Sequence, residues 1–313
     1  MCTAIYHNQY FGRNLDLEYG YREQVVITPR DFPFRFRCGY LLPHHYALIG
    51  MATVANGEPL YYEATNERGL SMAGLSFPIS AHYQPKIAGK DNLAPFEIIP
   101  WILGQCQTVS QAKTLLKRLS IWALPFSRDF PLSPLHWIIA DKETSIVVEP
   151  MSDGLKVYDN PIGILTNEPP FPYHIHRLAD IAHLTPKHPA DPATTKLYSN
   201  GLGAMSLPGD YSSSSRFLKA AFGKLHSLTQ GSEVGQFFHL LASVAMPGGS
   251  VDVDGRSEIT RYSCCCDMNS CIYYYMTYNN SRVRAVRLQN APLDSDTLSI
   301  FDLLDQPDIF FQN

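Results

Sequence analysis

Short runs of β-branched and aromatic residues stand at both ends of the chain, joined by links of hairpin length, and helical periodicity is confined to the stretches between them. This distribution is the strongest constraint on the fold. Thr3 to His7 and Tyr10 to Leu15 flank Asn8-Gln9, and Asn tolerates positive φ, so a tight hairpin is expected. Further strand-type runs are Gln24 to Thr28, Tyr46 to Val54, Leu60 to Glu63 and Leu70 to Leu75. Leu135 to Ala140, Ser145 to Glu149 and Leu155 to Tyr158 read as a meander turning at Asp141-Lys142 and Asp153-Gly154. Thr260 to Cys266, Cys271 to Tyr278 and Val283 to Leu288 close the chain as strands.

Helices are expected over Phe96 to Gly104, Tyr173 to Ile181 and Ser213 to Phe222. Ala112, Leu115, Leu116 and Leu119 repeat at helical spacing behind the capping candidates Thr108 and Ser110, and Phe237, Leu240, Leu241 and Val244 do so behind Ser232. His183 to Asp210 is polar and contains prolines, so it reads mainly as loop and is a candidate for contacts between subunits. Hairpin-length links join antiparallel neighbours, so the expected fold class is α+β: mostly antiparallel sheets layered with helices. No repeat, low-complexity tract or linker divides residues 1–313, which are read as one domain.

Composition excludes several function classes. Hydrophobic residues make up 45% of the chain and charged residues 17%, enough apolar mass for a large core and against disorder. The net charge of −4, without a basic block, offers no electrostatic footprint for nucleic acid. The most apolar stretch, Tyr46 to Ala55, is far short of the roughly 20 residues that span a bilayer, and the first residues lack the pattern of a signal peptide. No membrane association is expected. Seven cysteines, an odd number with three adjacent, do not form a secreted disulfide framework and point to the cytoplasm.

Cys2 is the sharpest chemical candidate. Removal of Met1, expected before a small side chain, would put a thiol and a free α-amine on one residue. Such an amine, with a reference pKa of about 7.7 to 8.0, is roughly a tenth to a fifth free base at pH 7 and takes the thiol proton without a separate histidine. A free thiol is about 3% thiolate at that pH, and a neighbouring guanidinium raises the fraction. The hairpin returns its second strand beside the first, which makes Arg13 the candidate guanidinium and brings Asp16 near.

Four segments follow Met1-Cys2 in order: Phe11-Gly12-Arg13-Asn14-Leu15-Asp16; Asn66-Glu67-Arg68-Gly69-Leu70 running to Ala73-Gly74-Leu75-Ser76-Phe77-Pro78; Leu165-Thr166-Asn167; and Leu207-Pro208-Gly209-Asp210 running to Ser215-Arg216-Phe217. Together they resemble the choloylglycine hydrolase family, the N-terminal-nucleophile amidases that include bile salt hydrolases and penicillin V acylases. The resemblance spans nearly the whole chain. Ile99-Pro100-Trp101, Ser133-Pro134-Leu135-His136-Trp137, Ser145-Ile146-Val147-Val148-Glu149 and Tyr273-Tyr274-Tyr275 are similar to the bile salt hydrolase branch in particular.

The resemblance implies a four-layer αββα sandwich of two antiparallel sheets, a homotetramer and no cofactor. It implies that Cys2 attacks an amide carbonyl to form an acyl thioester, that Arg13 holds the thiolate and that Asp16 orients the α-amine. Asn167 is implied as a side-chain donor to the oxyanion and Arg216 as stabilising charge at the nucleophile. Ser76 departs from the family, where bile salt hydrolases typically carry Asn and penicillin V acylases Tyr, but its backbone N–H still serves as an oxyanion donor. Leu15, Leu17, Tyr62 and Phe77 are the expected wall of an apolar substrate pocket, by their closeness to these segments. The implied substrate is a glycine- or taurine-conjugated bile acid. Penicillin V or another N-acyl amide is the alternative.

A different class of reading, a non-catalytic thiol or metal-binding protein, would use Cys264-Cys265-Cys266 and Cys271. Adjacent strand residues point to opposite faces, so no metal is expected there. His174 and His176 fall in a predicted helix, where i and i+2 do not share a face, and are expected at the surface. Asp252-Val253-Asp254-Gly255 lacks the rest of an EF-hand loop.

Overall fold

The computed structural model describes residues 1–188, 200–228 and 231–313. The first half of the chain forms β1 (Cys2–His7), β2 (Tyr10–Leu17), β3 (Gln24–Thr28), β4 (Leu48–Ala55), β5 (Glu58–Asn66), β6 (Ser71–Ser76), β7 (Leu135–Ala140), β8 (Ser145–Met151) and β9 (Gly154–Asp159). The remainder adds β10 (Ile164–Leu165), β11 (Ile259–Asp267), β12 (Ile272–Thr277), β13 (Arg284–Arg287) and β14 (Ser299–Asp302). The α-helices among the described residues are α1 (Ile98–Gln105), α2 (Val109–Leu116), α3 (Phe171–Arg177), α4 (Ser213–Leu225) and α5 (Glu233–Ala242).

Two large sheets result. One has the order β10-β1-β2-β11-β12-β13, the other β9-β8-β7-β6-β5-β4-β3-β14, and neighbours in both run antiparallel. The expected hairpin is present, with Asn8 in the left-handed region at φ 54°. β1 and β2 pack on β6 of the other sheet, α4 and α5 cover the outer face of the first sheet, and α1 covers β4 to β6 of the second. The layers therefore run helix, sheet, sheet, helix.

Period-two alternation explains why the second sheet's strands are almost continuously apolar. Val25, Ile27, Ile49, Ala73, Leu75, Ile138 and Val147 face the interior between the sheets. Their strand neighbours Val26, Leu48, Met72, Ile139 and Val148 face the α1 and α2 layer. Both faces are buried, so both registers are apolar.

The capping expectations hold for Thr108, whose hydroxyl accepts from Gln111 N, and for Ser232, which accepts from Gly235 N. Two predicted helical positions lie elsewhere. Leu119 is in a short strand, Leu119–Ile121, paired in parallel with Asp91–Leu93, and Val244 lies beyond α5; each reaches the core from outside the helix. The predicted loop contains a turn at Leu202–Ala204, and its residues 189–199 lie outside the described residues.

Candidate active site

Cys2 opens β1 and pairs with Leu15, while Ala4 pairs with Arg13. Residues 2 and 4 share a face, so the Cys2 and Arg13 side chains are diagonal neighbours on it. Gly12 lets β2 lie flush against β11, since a Cβ there would come within 1.9 Å of the Cys264 carbonyl oxygen. Arg13 is fully buried. The ladder between β5 and β6 ends at Glu63 and Ala73, and the Arg13 guanidinium fills the gap beyond: Nη1 donates to Tyr62 O at 3.1 Å and Gly74 O at 2.6 Å. Nε lies 3.7 Å from Glu63 Oε2, and Nη2 has no hydrogen-bond partner among the described residues. Burial works against the Arg13 charge, but Cys2, Tyr262 and Glu63 more than offset it and hold its pKa above the ordinary arginine value.

The backbone nitrogen of Cys2 donates to Asn167 Oδ1 at 2.8 Å, and Arg216 Nη2 donates to the same oxygen at 2.8 Å. Asn167 Nδ2 donates to Ser76 O at 2.8 Å. Two donors on one side of the amide and a carbonyl on the other fix its orientation and leave one Nδ2 hydrogen free of this set. Arg216, on α4, donates from Nη1 to Cys2 O at 2.5 Å and Thr3 Oγ1 at 2.6 Å, and from Nε to Tyr211 O at 2.9 Å. It grips the strand that carries Cys2. Burial lowers its pKa, opposed by Asp16 and Cys2.

Asp16 Oδ1 accepts from Thr260 Oγ1 at 2.6 Å, and Oδ2 lies 4.0 Å from Arg216 Nη1. Burial raises the Asp16 pKa, with Arg216 and Thr260 opposing. With Met1 in place, the terminal amine donates to the Asp16 carbonyl oxygen at 2.8 Å and pairs with the buried carboxylate of Glu258. Burial lowers that amine's pKa.

Two buried histidines support the Asn167 segment. His136 Nε2 bonds Thr166 O at 2.9 Å, and its Nδ1 meets Glu149 Oε1 at 3.1 Å. His174 Nε2 bonds Asn167 O at 3.0 Å, and the Asn167 N–H donates to Ser213 Oγ at 2.8 Å. The expectation of a surface His174 is therefore wrong. The helical offset does separate it from the exposed His176, but α3 turns His174 inward, where burial lowers its pKa to about 4.

A cavity of about 260 Å³ opens beside Cys2, Arg13 and Ser76, walled in part by Leu15, Leu17 and Tyr62 as expected. Tyr62 is the extra residue of a bulge in β5 opposite Met51 and Ala52, and its hydroxyl bonds Thr53 Oγ1 at 2.8 Å. Phe77 is not in the wall. Alternation turns it away from Ser76 and stacks it on His136, ring centroids 4.2 Å apart. Phe96, Phe126 and Phe130 also line the cavity; the latter two come from an irregular Pro-containing stretch whose sequence carries no periodicity to flag them.

The family profile of linear amide C–N hydrolases, choloylglycine hydrolase family, matches residues 2–301. A Lactiplantibacillus plantarum protein named bile salt hydrolase/transferase is 46% identical, with 100% of each chain covered. The conjugated bile acid hydrolase of Lactobacillus gasseri is 36% identical over 95% of this chain and 99% of its own. Among solved structures, a conjugated bile acid hydrolase from Clostridium perfringens superposes with a TM-score of 0.93 at 31% identity, covering both chains fully. Penicillin V acylase from Agrobacterium tumefaciens shares the fold, with a TM-score of 0.77 at 17% identity over 96% of this chain and 91% of its own. The chain belongs to the choloylglycine hydrolase family of linear amide C–N hydrolases and has the α+β N-terminal-nucleophile hydrolase fold of two antiparallel sheets.

Proposed function

We propose that this enzyme is a bile salt hydrolase, cleaving the amide bond of glycine- or taurine-conjugated bile acids with Cys2 as nucleophile. The observation that carries the reading is the convergence of Cys2, Arg13 and Ser76 at the edge of a cavity lined by Leu15, Leu17 and Tyr62. An apolar wall suits a steroid, and the polar edge suits its amide.

Excision of Met1 frees the Cys2 α-amine, which Asp16 orients and which takes the thiol proton. The sulfur, its charge held by Arg13, attacks the carbonyl carbon. Asn167 Nδ2 and the Ser76 backbone N–H receive the oxyanion, each such donor being worth about 3 kcal/mol. The C–N bond breaks as the α-ammonium returns its proton to the leaving nitrogen. Water, deprotonated by the same amine, then attacks the acyl thioester and releases the bile acid and the thiol. An amine in place of that water gives acyl transfer, the second activity in the name of the Lactiplantibacillus plantarum relative. Arg216 acts by fixing the Cys2 carbonyl and Asn167. The cycle uses no metal or organic cofactor, and the enzyme works in the cytoplasm as a single-domain subunit of a homotetramer.

Rates on glycocholate, taurocholate and penicillin V under one condition test the substrate. Higher turnover of penicillin V than of either bile salt overturns it in favour of the acylase alternative.

A further inference from the structure

The two sheets close over a buried carboxylate that this mechanism leaves unused. Glu63, on β5, is 2% exposed and points across the interior at β11 and β12. Its Oε2 lies 3.7 Å from Arg13 Nε and accepts from the Tyr262 hydroxyl at 2.8 Å. Its Oε1 accepts from the Tyr273 hydroxyl at 2.6 Å and the Cys264 thiol at 3.4 Å. Every neighbour of the carboxylate is a donor, the pattern of an ionised group. Burial drives Glu63 upward, against Arg13 and the two hydroxyls, and holds Tyr262, Tyr273 and Cys264 well above their ordinary values, so the three donors keep their protons.

Arg13 thus faces two ways. Its Nε donates to Asn14 O at 3.4 Å and lies 3.7 Å from the Glu63 carboxylate, while its Nη2 has no hydrogen-bond partner among the described residues and the residue lines the cavity with Cys2. A guanidinium neutralised by a close carboxylate stabilises a second anion less, and donors that draw off the carboxylate's charge restore that capacity. We propose that Glu63, together with Tyr262, Tyr273 and Cys264, is a positioning group that sets how much of the Arg13 charge reaches the Cys2 sulfur. The proposal rests on the reading of Cys2 as nucleophile. The other charged groups packed around the Cys2 backbone are Asp16 on β2, Arg216 on α4 and, at the chain terminus, the amine with Glu258; among the described residues none of them is hydrogen-bonded to Glu63.

The test is the rate of Cys2 alkylation by iodoacetamide at pH 7 in the mature full-length protein. It is quantified on the Cys2 peptide by mass spectrometry, with the exposed Cys38 as internal reference. Glu63→Gln keeps the shape and removes the charge, so the rate rises, about fivefold. Tyr273→Phe keeps the ring and removes a donor, leaving more carboxylate charge on Arg13, so the rate falls, about threefold. Loosened scaffolding would lower both rates. Opposite signs support the proposal, and a common fall or no change in either variant overturns it. Should Glu63→Gln fail to fold, Tyr273→Phe decides alone: an unchanged or faster rate overturns the proposal. Wild-type Cys2 reacting no faster than Cys38 overturns the nucleophile reading as well, whereas an activated wild-type Cys2 with unmoved variants overturns only the role of Glu63.

Discussion

Replacing His174 by glutamine is expected to change how the protein responds to acid, in a direction the site geometry fixes. The ring is fully buried, donates from Nε2 to Asn167 O and stacks on Phe217 with centroids 5.0 Å apart. Its pKa is lowered to about 4, first by burial and also by the nearby Arg216 charge, against the bond to the Asn167 carbonyl. In the unfolded chain the ring takes its proton near 6.5, so between these values the unfolded state binds more protons and stability falls as pH falls. The contribution is fully present above about pH 6.5. It declines by about 2 kcal/mol by pH 5 and about 3 kcal/mol by pH 4, at about 1.36 kcal/mol per pH unit. Glutamine still offers a donor to Asn167 O but titrates nowhere. His174→Gln should be less stable than wild type at pH 7.5, by about 1 to 2 kcal/mol for the lost packing and hydrogen-bond geometry. That deficit should shrink by about 2 kcal/mol at pH 5. Urea unfolding of both proteins from pH 7.5 to 4.5 measures this, and stability curves that stay parallel would refute the assignment of His174 as a buried neutral ring.

Three further outcomes are expected. Cys2→Ala should abolish turnover and Cys2→Ser should leave only a small residue of it; intact mass of the active protein should show Met1 removed, because an acylated Cys2 nitrogen has no basic lone pair. Asn167→Ala should lower kcat on glycocholate by about 100-fold with a much smaller change in KM, as loss of one oxyanion donor predicts; an effect confined to KM would move Asn167 out of that role. Phe77→Leu should cost about 1 to 2 kcal/mol of stability through the lost stack on His136 and leave KM for bile salts unchanged, whereas Tyr62→Ala should raise KM.

The sheets were legible because burial on both faces leaves its mark on every strand residue, as in the runs around Val25 to Ile27 and Ile146 to Val148. β14 was not: it is an edge strand with Ile300 45% exposed and Phe301 41% exposed, so no buried face imposes alternation on it. Leu119 misled because a helical repeat and a following strand put apolar residues at the same spacing. At the site, the hairpin brought Cys2 and Arg13 together from local sequence alone, whereas Asn167 and Arg216 join them across more than a hundred residues and were placed only through the family resemblance. His174 and Phe77 were misplaced for a shared reason. Each side chain's environment is set by a neighbour distant in sequence, Phe217 for one and His136 for the other, and periodicity within a segment carries no information about that neighbour.

Where β5 and β6 part, a single side chain does the work of the missing ladder: Arg13 Nη1 bonds both Tyr62 O and Gly74 O. The guanidinium is thus a clasp across an open seam in one sheet, carried on a strand of the other. A lysine ammonium lacks the planar fork that lets one nitrogen hold the seam while another stays free of it. Arg13→Lys should therefore loosen the seam and weaken the hold on the nucleophile in one step. On the proposed mechanism, mechanical closure of the sheets and activation of the sulfur depend on the same few atoms, so this position has little freedom to vary even where the substrate changes.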